Sequence, residues 1–549
     1  MALEAFLFSF VTFVFGVVYG RACDTCDGLE LLQRGNAVRA ERAEHGTWTY
    51  PRDWKTDRDL ANVSRFQRIH WAGAHKNVDV ALDFFSAVPV FGKGGNYIAL
   101  LHSMSSELAT WLTYLNTGEV SLFCSGPKGS HRTKVRGLGH EMATAHKAHL
   151  VFLCDWPEEE KDLERFEVFL EDGNGKQLGA IVAEQKHGLL QQYRTVACLR
   201  DVWPHEKIGL RQLPQWMEFH LLHGVEHFLI YTVNLDSKVL VDLYEPYIKS
   251  GVATRVHFNK EVVGADPYSF HAPIHYDLMA DCLYRFKNHA TWILPSIDID
   301  EFINMKDGNL FEGGKVPEDY VGSSWDAIVK HSGLEASRVH SIAFNVYRFA
   351  QVQAGEVELS SVLREPILQP TCPKYVVNAD NVNTVFVHWA TTWEKGTQGL
   401  AVNKDTLVLH HYRQPVAYNI EGRETPLIVE TNTTDASMEQ YVPQLSRSLE
   451  ARFGEQTPHF LSRLSVVEPV PFQKSNLHGM DAIHEMEEMF ETLEAMDSAC
   501  AAWQRSIRNL KGIVSLDPPS TLQWLNERIC SDQLLLCRRN PYFYYFEHN

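Results

Sequence analysis

The stretch Thr291-Trp-Ile-Leu-Pro-Ser-Ile-Asp-Ile-Asp-Glu-Phe302 carries the pattern that decides the fold. Its first half is a short apolar run typical of a buried strand, and Asp298 and Asp300 follow directly. Because strand side chains repeat every two residues, this predicts two carboxylates that point the same way at the carboxyl end of a strand. Ligands of open α/β sheets bind at that end. Neighbouring carboxylates are costly without a cation, so we expect Asp298 and Asp300 to hold a divalent ion.

The segments before this pattern alternate between strand and helix signals. Strands are predicted at 195–199, 227–233, 252–258 and 291–297, and helices at 212–223, 237–251 and 273–288. Gly224 is predicted to follow the end of the first helix, and Ser237 to cap the second. Such alternation implies right-handed crossovers and a parallel sheet. The predicted fold class is α/β: a Rossmann-like, mainly parallel sheet with helices on both faces, whose fourth strand delivers Asp298.

The rest of the chain differs in character from this α/β region. The apolar N-terminus predicts a secretory signal peptide or signal anchor, and short apolar runs between Gly and Pro turns predict a small β-rich domain. An apolar stripe between His484 and Leu510 predicts a long helix. We therefore expect a signal or anchor at 1–22, a stem or irregular region at 23–95, the β-rich domain at 96–190, the α/β domain at 191–418 and a helical C-terminal region at 419–549.

Charge and composition restrict the partners of this 549-residue chain. A net charge of -18 argues against nucleic acid and against an anionic membrane surface, since both require clustered Lys and Arg. Ten cysteines and the acceptor triplets Asn62-Val-Ser64 and Asn432-Thr-Thr434 agree with the lumen of the secretory pathway, ER or Golgi. We expect membrane attachment only through the N-terminal segment. Its cleavage, the cysteine pairing and the oligomeric state stay open at this point.

Trp216–Tyr231 contains Glu-Phe-His and then Gly-Val-Glu-His-Phe-Leu-Ile-Tyr. This stretch resembles the E-F-H…G-V-x-H-F-x-x-Y pattern of glycosyltransferase family 92, and several later motifs resemble the same family. The elements Asp281-Cys-Leu-Tyr-Arg285, Trp292 and Asp298-x-Asp-Glu-Phe302 match D-C-L-x-R…W…D-x-D-E-F in order and spacing; later elements similar to K-x-I-V, G-V-H and H-H-Y-R are Lys374-Tyr-Val-Val377, Val385-Phe-Val-His388 and His410-His-Tyr-Arg413. The chain departs from the pattern at Phe386, where the family has Gly, and at Phe349-Ala350, where it commonly has Phe-Gly.

The resemblance implies a metal-dependent, inverting glycosyltransferase of the GT-A fold. It would move a hexose, with UDP-galactose the favoured donor, onto a glycan acceptor. The implied ligands of Mn²⁺ or Mg²⁺ are Asp298 and Asp300, joined by the late histidines His411 and His388. In such enzymes the ion bridges the two phosphates of the UDP-sugar and acts as a Lewis acid.

The resemblance also implies residues that bind the nucleotide sugar. Asp201 and Asn234 follow the first and second predicted strands, near the expected uridine, and Asp281 lies on the helix before the carboxylate strand. Arg413 has the planar donor group that binds a diphosphate. Glu301 is the carboxylate nearest the metal pair, but strand alternation predicts that it points to the opposite face. The general base therefore stays unassigned.

Two other functions compete with this interpretation. A phosphatase of the haloacid dehalogenase type also places Asp-x-Asp after a strand, but it needs Thr or Val at the position of Phe302 and normally uses the first strand of its domain. A catalytically inactive carbohydrate-binding protein on the same fold is the stronger alternative. The intact Asp298/Asp300 pair favours the enzyme, since an inactive homologue is free to lose its metal ligands.

Overall fold

A computed structural model describes the chain between residues 67 and 465, with short gaps. The described residues are 67–75, 78–92, 95–105, 120–142, 147–161, 163, 165–184, 192–199, 207–232, 238–257, 272–311, 313–350, 352–353, 355–364, 369–385, 389–412, 416–418, 424–426 and 433–465. Three predicted features lie outside these residues: the apolar N-terminal segment, the two glycosylation acceptors Asn62 and Asn432, and the helix at 484–510. They therefore stay predictions. Within the described residues, no helix is long and apolar enough to cross a membrane.

Among the described residues before 190, nine strands form a β-sandwich of two antiparallel sheets. They are β1 (Gln67–His75), β2 (Val78–Gly92), β3 (Gly95–Ser105), β4 (Leu122–Ser125), β5 (Arg132–Lys134), β6 (Arg136–Met142), β7 (Lys147–Asp155), β8 (Arg165–Asp172) and β9 (Gln177–Glu184). One sheet has the order β1-β2-β3-β7-β6 and the other the order β5-β4-β8-β9. Alternation drives their packing: in β8, Phe166, Val168 and Leu170 enter the core, while Arg165 and Glu167 are exposed.

The strands β1 and β2 occupy part of the stretch for which we predicted an irregular stem. In β2 the buried residues are consecutive, because both faces of its sheet are covered. Phe84 and Ala87 face the core of the sandwich, whereas Phe85 and Val88 pack against the α/β domain. A strand buried on both faces has no period of two, so the pattern gave no signal.

The α/β domain contains fifteen strands within the described residues. They are β10 (Tyr193–Leu199), β11 (His227–Thr232), β12 (Ala253–His257), β13 (Ala290–Leu294), β14 (Glu301–Met305), β15 (Val339–Arg348), β16 (Leu363–Arg364), β17 (Gln369–Asn378), β18 (Val382–Val385), β19 (Ala390–Trp393), β20 (Gln398–Ala401), β21 (Leu407–His411), β22 (Val416–Tyr418), β23 (Glu424–Pro426) and β24 (Thr433–Thr434). The central sheet has the order β12-β11-β10-β13-β17-β15-β21-β14, with β20 also paired to β15. Three short two-stranded pairs, β16-β24, β18-β19 and β22-β23, lie outside it.

This sheet is mixed: five of its strand pairings are parallel and three are antiparallel, so the α/β class is observed and a parallel Rossmann layout is not confirmed. The first four strands in sheet order pair in parallel, and β15 is parallel to β20 and β21. The pairs β13-β17, β17-β15 and β21-β14 are antiparallel. Parallel neighbours need a crossover, usually a helix, and beyond β13 most connections are too short for one. The strand and helix alternation that predicted the first half of the sheet does not continue into the second.

Six α-helices are described, and helices cover both faces of the sheet. They are α1 (Lys207–Leu222), α2 (Lys238–Lys249), α3 (Ala272–Phe286), α4 (Tyr320–His331), α5 (Val442–Phe453) and α6 (Thr457–Ser465). Alternate side chains of β10 point to opposite faces of the sheet and so contact different layers of helices. Ala197 and Leu199 pack with α1, α2 and α4, and Val196 and Cys198 pack with α3 and the sandwich. Of the predicted helical C-terminal region, the described part holds short strands followed by α5 and α6, which pack on α1.

Two disulfide bonds join separate layers among the described residues. Cys124–Cys154 links the two sheets of the sandwich, and Cys198–Cys282 links β10 to α3. Both pairs bring together segments distant in the sequence, so the pairing follows from the tertiary structure and not from local spacing.

Candidate active site

The candidate site lies at the edge of the central sheet where β13, β15 and β21 end. The chain leaves β13 at Leu294 and enters β14 at Glu301, although three strands separate β13 from β14 in the sheet. The intervening segment 295–300 therefore passes over the ends of those strands. It carries Asp298 and Asp300 to the carboxyl edge, the edge at which ligands of open α/β sheets bind.

Asp298 to Glu301 form a closed turn instead of the end of a strand. The Glu301 N–H donates to the Asp298 carbonyl (3.0 Å), and the Asp298 N–H donates to Glu301 Oε2 (2.8 Å). The Asp300 carbonyl accepts a hydrogen bond from the Tyr412 N–H (2.8 Å), which ties the turn to the end of β21. Strand β13 has already stopped before Pro295, which has no N–H to donate.

Lys374, on β17, holds the first carboxylate of this turn. Its ammonium donates to Asp298 Oδ2 (3.0 Å) and to the Ser296 carbonyl (2.9 Å), and it lies 3.2 Å from Glu301 Oε2. The Lys374 side chain is completely buried. Burial raises the pKa of Glu301 to about 7, although the positive charge of Lys374 opposes that rise.

Asp300, the second carboxylate, pairs with His411. Its Oδ2 lies 3.1 Å from His411 Nε2, and both side chains are buried. Burial would lower the pKa of His411, but the charge and hydrogen bond of Asp300 outweigh it, so the pKa is raised. The second ring nitrogen of His411 faces Glu301 Oε1 at 3.9 Å.

His411 stands in the middle of a row of charged residues on three adjacent strands. It is the register partner of Glu301 on β14 and of Arg348 on β15. Partners on neighbouring strands point to the same face of a sheet. Arg348 and His411 are the last residues of their strands, so a buried cation lies beside the imidazole that contacts the Asp300 carboxylate at the carboxyl edge.

The structure changes two predictions about orientation. Asp298 and Asp300 have different partners, Lys374 and His411, because they belong to a turn in which strand alternation does not operate. For the same reason Glu301 does not point away from the pair. It contacts Lys374, lies near His411 and binds the backbone of Asp298.

Asp281, predicted to bind the nucleotide sugar, lies at the junction between the sandwich and the α/β domain. Its carboxylate is fully buried and accepts hydrogen bonds from Ser86 Oγ (2.5 Å), Tyr231 OH (2.7 Å) and Arg285 Nε (2.5 Å). Ser86 belongs to the sandwich, and Tyr231 and Arg285 belong to the α/β domain. Asp281 therefore joins the two domains. The sequence predicted only that this carboxylate lies on a helix, and it gave no information on which segment the helix packs against.

Four of the predicted site residues lie outside the described residues. They are Asp201, Asn234, His388 and Arg413. Their proposed contacts with uridine, the metal ion and the diphosphate stay predictions. The strands β10, β11 and β21, which precede three of them, end at the same edge of the sheet as β13.

Sequence reasoning missed the roles of Lys374 and Arg348. A signal for Lys374 was present, because a lysine followed by Tyr-Val-Val inside a strand is unusual unless its charge is paired. Arg348 gave no local signal. Its place beside His411 depends on the pairing of β15 with β21, which are far apart in the sequence.

The Asp300–His411 pair fits a divalent ion. Ion-to-ligand bonds of about 2.1 Å place adjacent ligands about 3 Å apart, and the two donor atoms are separated by 3.1 Å. Among the described residues, no three His, Cys, Asp or Glu side chains are grouped closely enough to hold an ion by themselves. Ions that bind nucleotides commonly use one or two protein ligands and take their remaining ligands from phosphate and water.

The family comparison agrees with the motifs from which we inferred the resemblance. Residues 193–457 match the sequence profile of glycosyltransferase family 92. This match, over just under half of the chain, supports the resemblance to that family, and the family implies a sugar donor and a glycan acceptor. It begins at the first residue of β10 and ends at the first residue of α6, so it includes the whole central sheet and the candidate site. No curated protein matches the chain.

Proposed function

We propose that this protein is a metal-dependent, inverting glycosyltransferase of the GT-A type. It transfers a hexose, with galactose from UDP-galactose the favoured choice, onto a glycan acceptor. The observation that carries the proposal is the buried Asp300–His411 pair at the carboxyl edge of the sheet, within the family 92 segment. Mn²⁺ or Mg²⁺ is the expected ion.

The chain's own residues supply the binding chemistry. Asp300 and His411 would hold the ion, and Arg348, at the end of β15, adds positive charge where a diphosphate would lie. When bound, the ion stabilises the negative charge on the departing UDP. The turn from Asp298 to Glu301 fixes Asp300 through hydrogen bonds on both sides, so little reorganisation is needed at the moment of reaction.

We further propose that the protein works in the lumen of the secretory pathway. Two disulfide bonds support an oxidising compartment, since such bonds are rare in the cytosol. The N-terminal apolar segment would direct the chain there, as a cleaved signal or as a single-pass anchor.

The test is UDP release from a panel of UDP-sugars, with Mn²⁺ and with EDTA. Many transferases slowly hydrolyse their donor, so no acceptor has to be chosen. Asp300→Asn removes the charge of the ion ligand, and Asp405→Asn is the matched control, since Asp405 is exposed and precedes β21 at the opposite edge of the sheet. We expect release from one sugar that EDTA and Asp300→Asn abolish and Asp405→Asn leaves unchanged.

A second measurement covers a donor that is hydrolysed too slowly to detect. Calorimetry of UDP binding with and without Mn²⁺ reports on the site without any chemistry. If no sugar is hydrolysed and UDP binding does not depend on Mn²⁺, the enzymatic proposal is contradicted. The inactive carbohydrate-binding protein would then be the better interpretation.

A further inference from the structure

The two aspartates of the turn have unequal electrostatic surroundings. Asp298 and Glu301 share one buried ammonium, that of Lys374, while Asp300 faces His411. We propose that Lys374 is a positioning residue: it holds Asp298 and Glu301 in place, so that Asp300 and His411 alone present ligands to the ion of the nucleotide sugar. This inference rests on the proposed function and identifies how its site is preorganised.

The Lys374 ammonium contacts three oxygens of the same segment. A lysine ammonium has three donors, and three oxygens surround this one: the Ser296 carbonyl, Asp298 Oδ2 and Glu301 Oε2, at 2.9–3.2 Å. All three oxygens belong to the segment that connects β13 to the start of β14. Lys374 therefore fixes the path of that segment over the sheet from a strand, β17, that lies between them.

Charge explains why the ammonium is needed. Asp298 and Glu301 lie close enough for the Glu301 carboxylate to accept the Asp298 N–H, and neither is well exposed to water. Buried carboxylates at that distance repel each other unless a cation is shared between them. Without Lys374 the turn would open or Asp298 would rotate, and Asp300 would leave its place beside His411.

A buried ion pair can also be merely structural, so the test needs a matched buried lysine. Lys287 is nearly as buried as Lys374, and its ammonium binds the Val382 carbonyl and Asn383 Oδ1. It precedes β13 and so lies at the opposite edge of the sheet from the site. Lys287→Met should lower stability without changing ligand binding in the folded protein.

The experiment compares four forms of the full-length chain: wild type, Lys374→Met, Lys287→Met and the double variant Lys374→Met/Glu301→Gln. Binding of UDP with Mn²⁺ is measured by calorimetry, and thermal unfolding reports stability. We expect Lys374→Met to weaken Mn²⁺-dependent UDP binding by about 10- to 100-fold, the range typical of residues that orient metal ligands. The double variant removes one carboxylate together with the ammonium, which keeps the net charge of the group, and should recover part of the lost affinity.

The outcomes separate this inference from the proposed function. If the wild-type protein shows no Mn²⁺-dependent UDP binding, both the role of Lys374 and the proposed transferase function are contradicted. Wild-type binding that is unchanged in Lys374→Met, or equally weakened in Lys287→Met, overturns the role of Lys374 and leaves the transferase proposal standing. If Lys374→Met does not fold, the double variant decides: we expect it to be the more stable of the two, and equal instability contradicts the shared-charge argument.

Discussion

At the scale of single residues, the site contains three carboxylates, of which two share a lysine and the third pairs with a histidine. Lys374 binds Asp298 and Glu301, and His411 binds Asp300. When a metal ion binds between a carboxylate and an imidazole, the imidazole can give up the proton that it shared with the carboxylate. Neutral imidazole is then itself a good metal ligand. We therefore propose Asp300 and His411 as the ligands of the metal ion.

Replacement of His411 tests that assignment. We expect His411→Gln to weaken Mn²⁺-dependent UDP binding by about 10-fold or more, because an amide is a poorer ligand than imidazole. The matched control is His340→Gln, since His340 is also buried but stacks on Trp393 near the start of β15. Calorimetry that finds equal affinities in the two variants would show that His411 is not a ligand.

A buried ion pair between Arg211 and Glu358 supports the segment that follows Arg348. Arg211 on α1 donates two hydrogen bonds to Glu358 Oε1, and Gln215 accepts the Glu358 N–H. We expect Arg211→Met to cost about 3–5 kcal/mol of unfolding free energy, because it leaves a buried carboxylate without its partner. Urea denaturation measures this loss. Arg211→Met/Glu358→Leu should lose less than Arg211→Met alone, and a double variant that loses more would contradict the charge argument.

At the scale of elements, the connection from α1 to β11 packs directly on the first turn of α4. Gly224 has a positive φ, and a Cβ there would lie 2.8 Å from the Asp319 carbonyl and 3.0 Å from Gly322 N. The sequence predicted Gly224 at the C-terminus of the helix from its backbone freedom. The close approach to α4 is a second requirement that only the tertiary structure reveals.

This close approach gives a prediction with a matched control. Gly454 follows α5 with a similar positive φ, but a Cβ there has no neighbour within 4 Å. We expect Gly454→Ala to cost about 1 kcal/mol from backbone strain alone, and Gly224→Ala about 3 kcal/mol because steric overlap adds to the strain. Urea denaturation of both variants measures the difference, and equal losses would mean that α4 can move aside at little cost.

The end of α1 also makes stability depend on pH. Burial lowers the pKa of His223 to about 4, while an unfolded histidine titrates near 6.5. Between these values the unfolded chain binds a proton that the folded chain does not, so the stability contributed by His223 is lost as the pH falls from 6.5 toward 4. We expect His223→Gln to reduce the loss of unfolding free energy between pH 7 and pH 5 by about 2 kcal/mol. An unchanged loss in urea titrations at the two pH values would exclude this effect.

The sequence predicted the elements whose signals are local. The strands β10 to β13 and helices α1 to α3 lie within a few residues of the predicted ranges, because periodicity and helix-ending glycines are properties of short segments. The second half of the sheet was not predictable in this way. Its order depends on contacts between distant strands, as in the pairing of β15 with β21 that sets Arg348 beside His411.

The sequence predicted which residues form the candidate site better than it predicted how their side chains are arranged. Asp300 and His411 were among the expected ligands and do meet, but the equivalence of Asp298 and Asp300 was wrong, because it assumed a continuing strand. Tertiary packing determines the turn, in which the Glu301 side chain accepts a hydrogen bond from the Asp298 N–H. It also determines the position of Lys374, whose charge neutralises the carboxylates of this turn.

At the scale of the whole molecule, the β-sandwich and the α/β domain share one core. The sheet face of β2 and β3 packs on α3, Ser86 binds Asp281, and Asn288 Nδ2 donates to the Phe91 carbonyl. The family 92 segment begins only at residue 193 and so excludes the sandwich. The apolar face of α3 would be exposed in a protein reduced to that segment.

Truncation tests this shared core. We expect residues 67–465 to be produced as a soluble folded protein and residues 193–465 to aggregate. Removal of the sandwich exposes a contiguous apolar face and takes away Ser86, which donates a hydrogen bond to the buried Asp281. Size-exclusion chromatography and thermal unfolding compare the two forms. A monomeric 193–465 protein with the same melting temperature as the longer form would mean that the domains fold independently.

The most direct test of the account is the position of Mn²⁺ in a crystal grown with UDP, read from anomalous scattering at the manganese edge. We predict one peak within bonding distance of Asp300 Oδ2 and His411 Nε2, with UDP phosphate oxygens completing the coordination of the ion and Asp298 still bound to Lys374. A peak bonded to Asp298 without His411, or UDP bound with no manganese at this edge of the sheet, would contradict it.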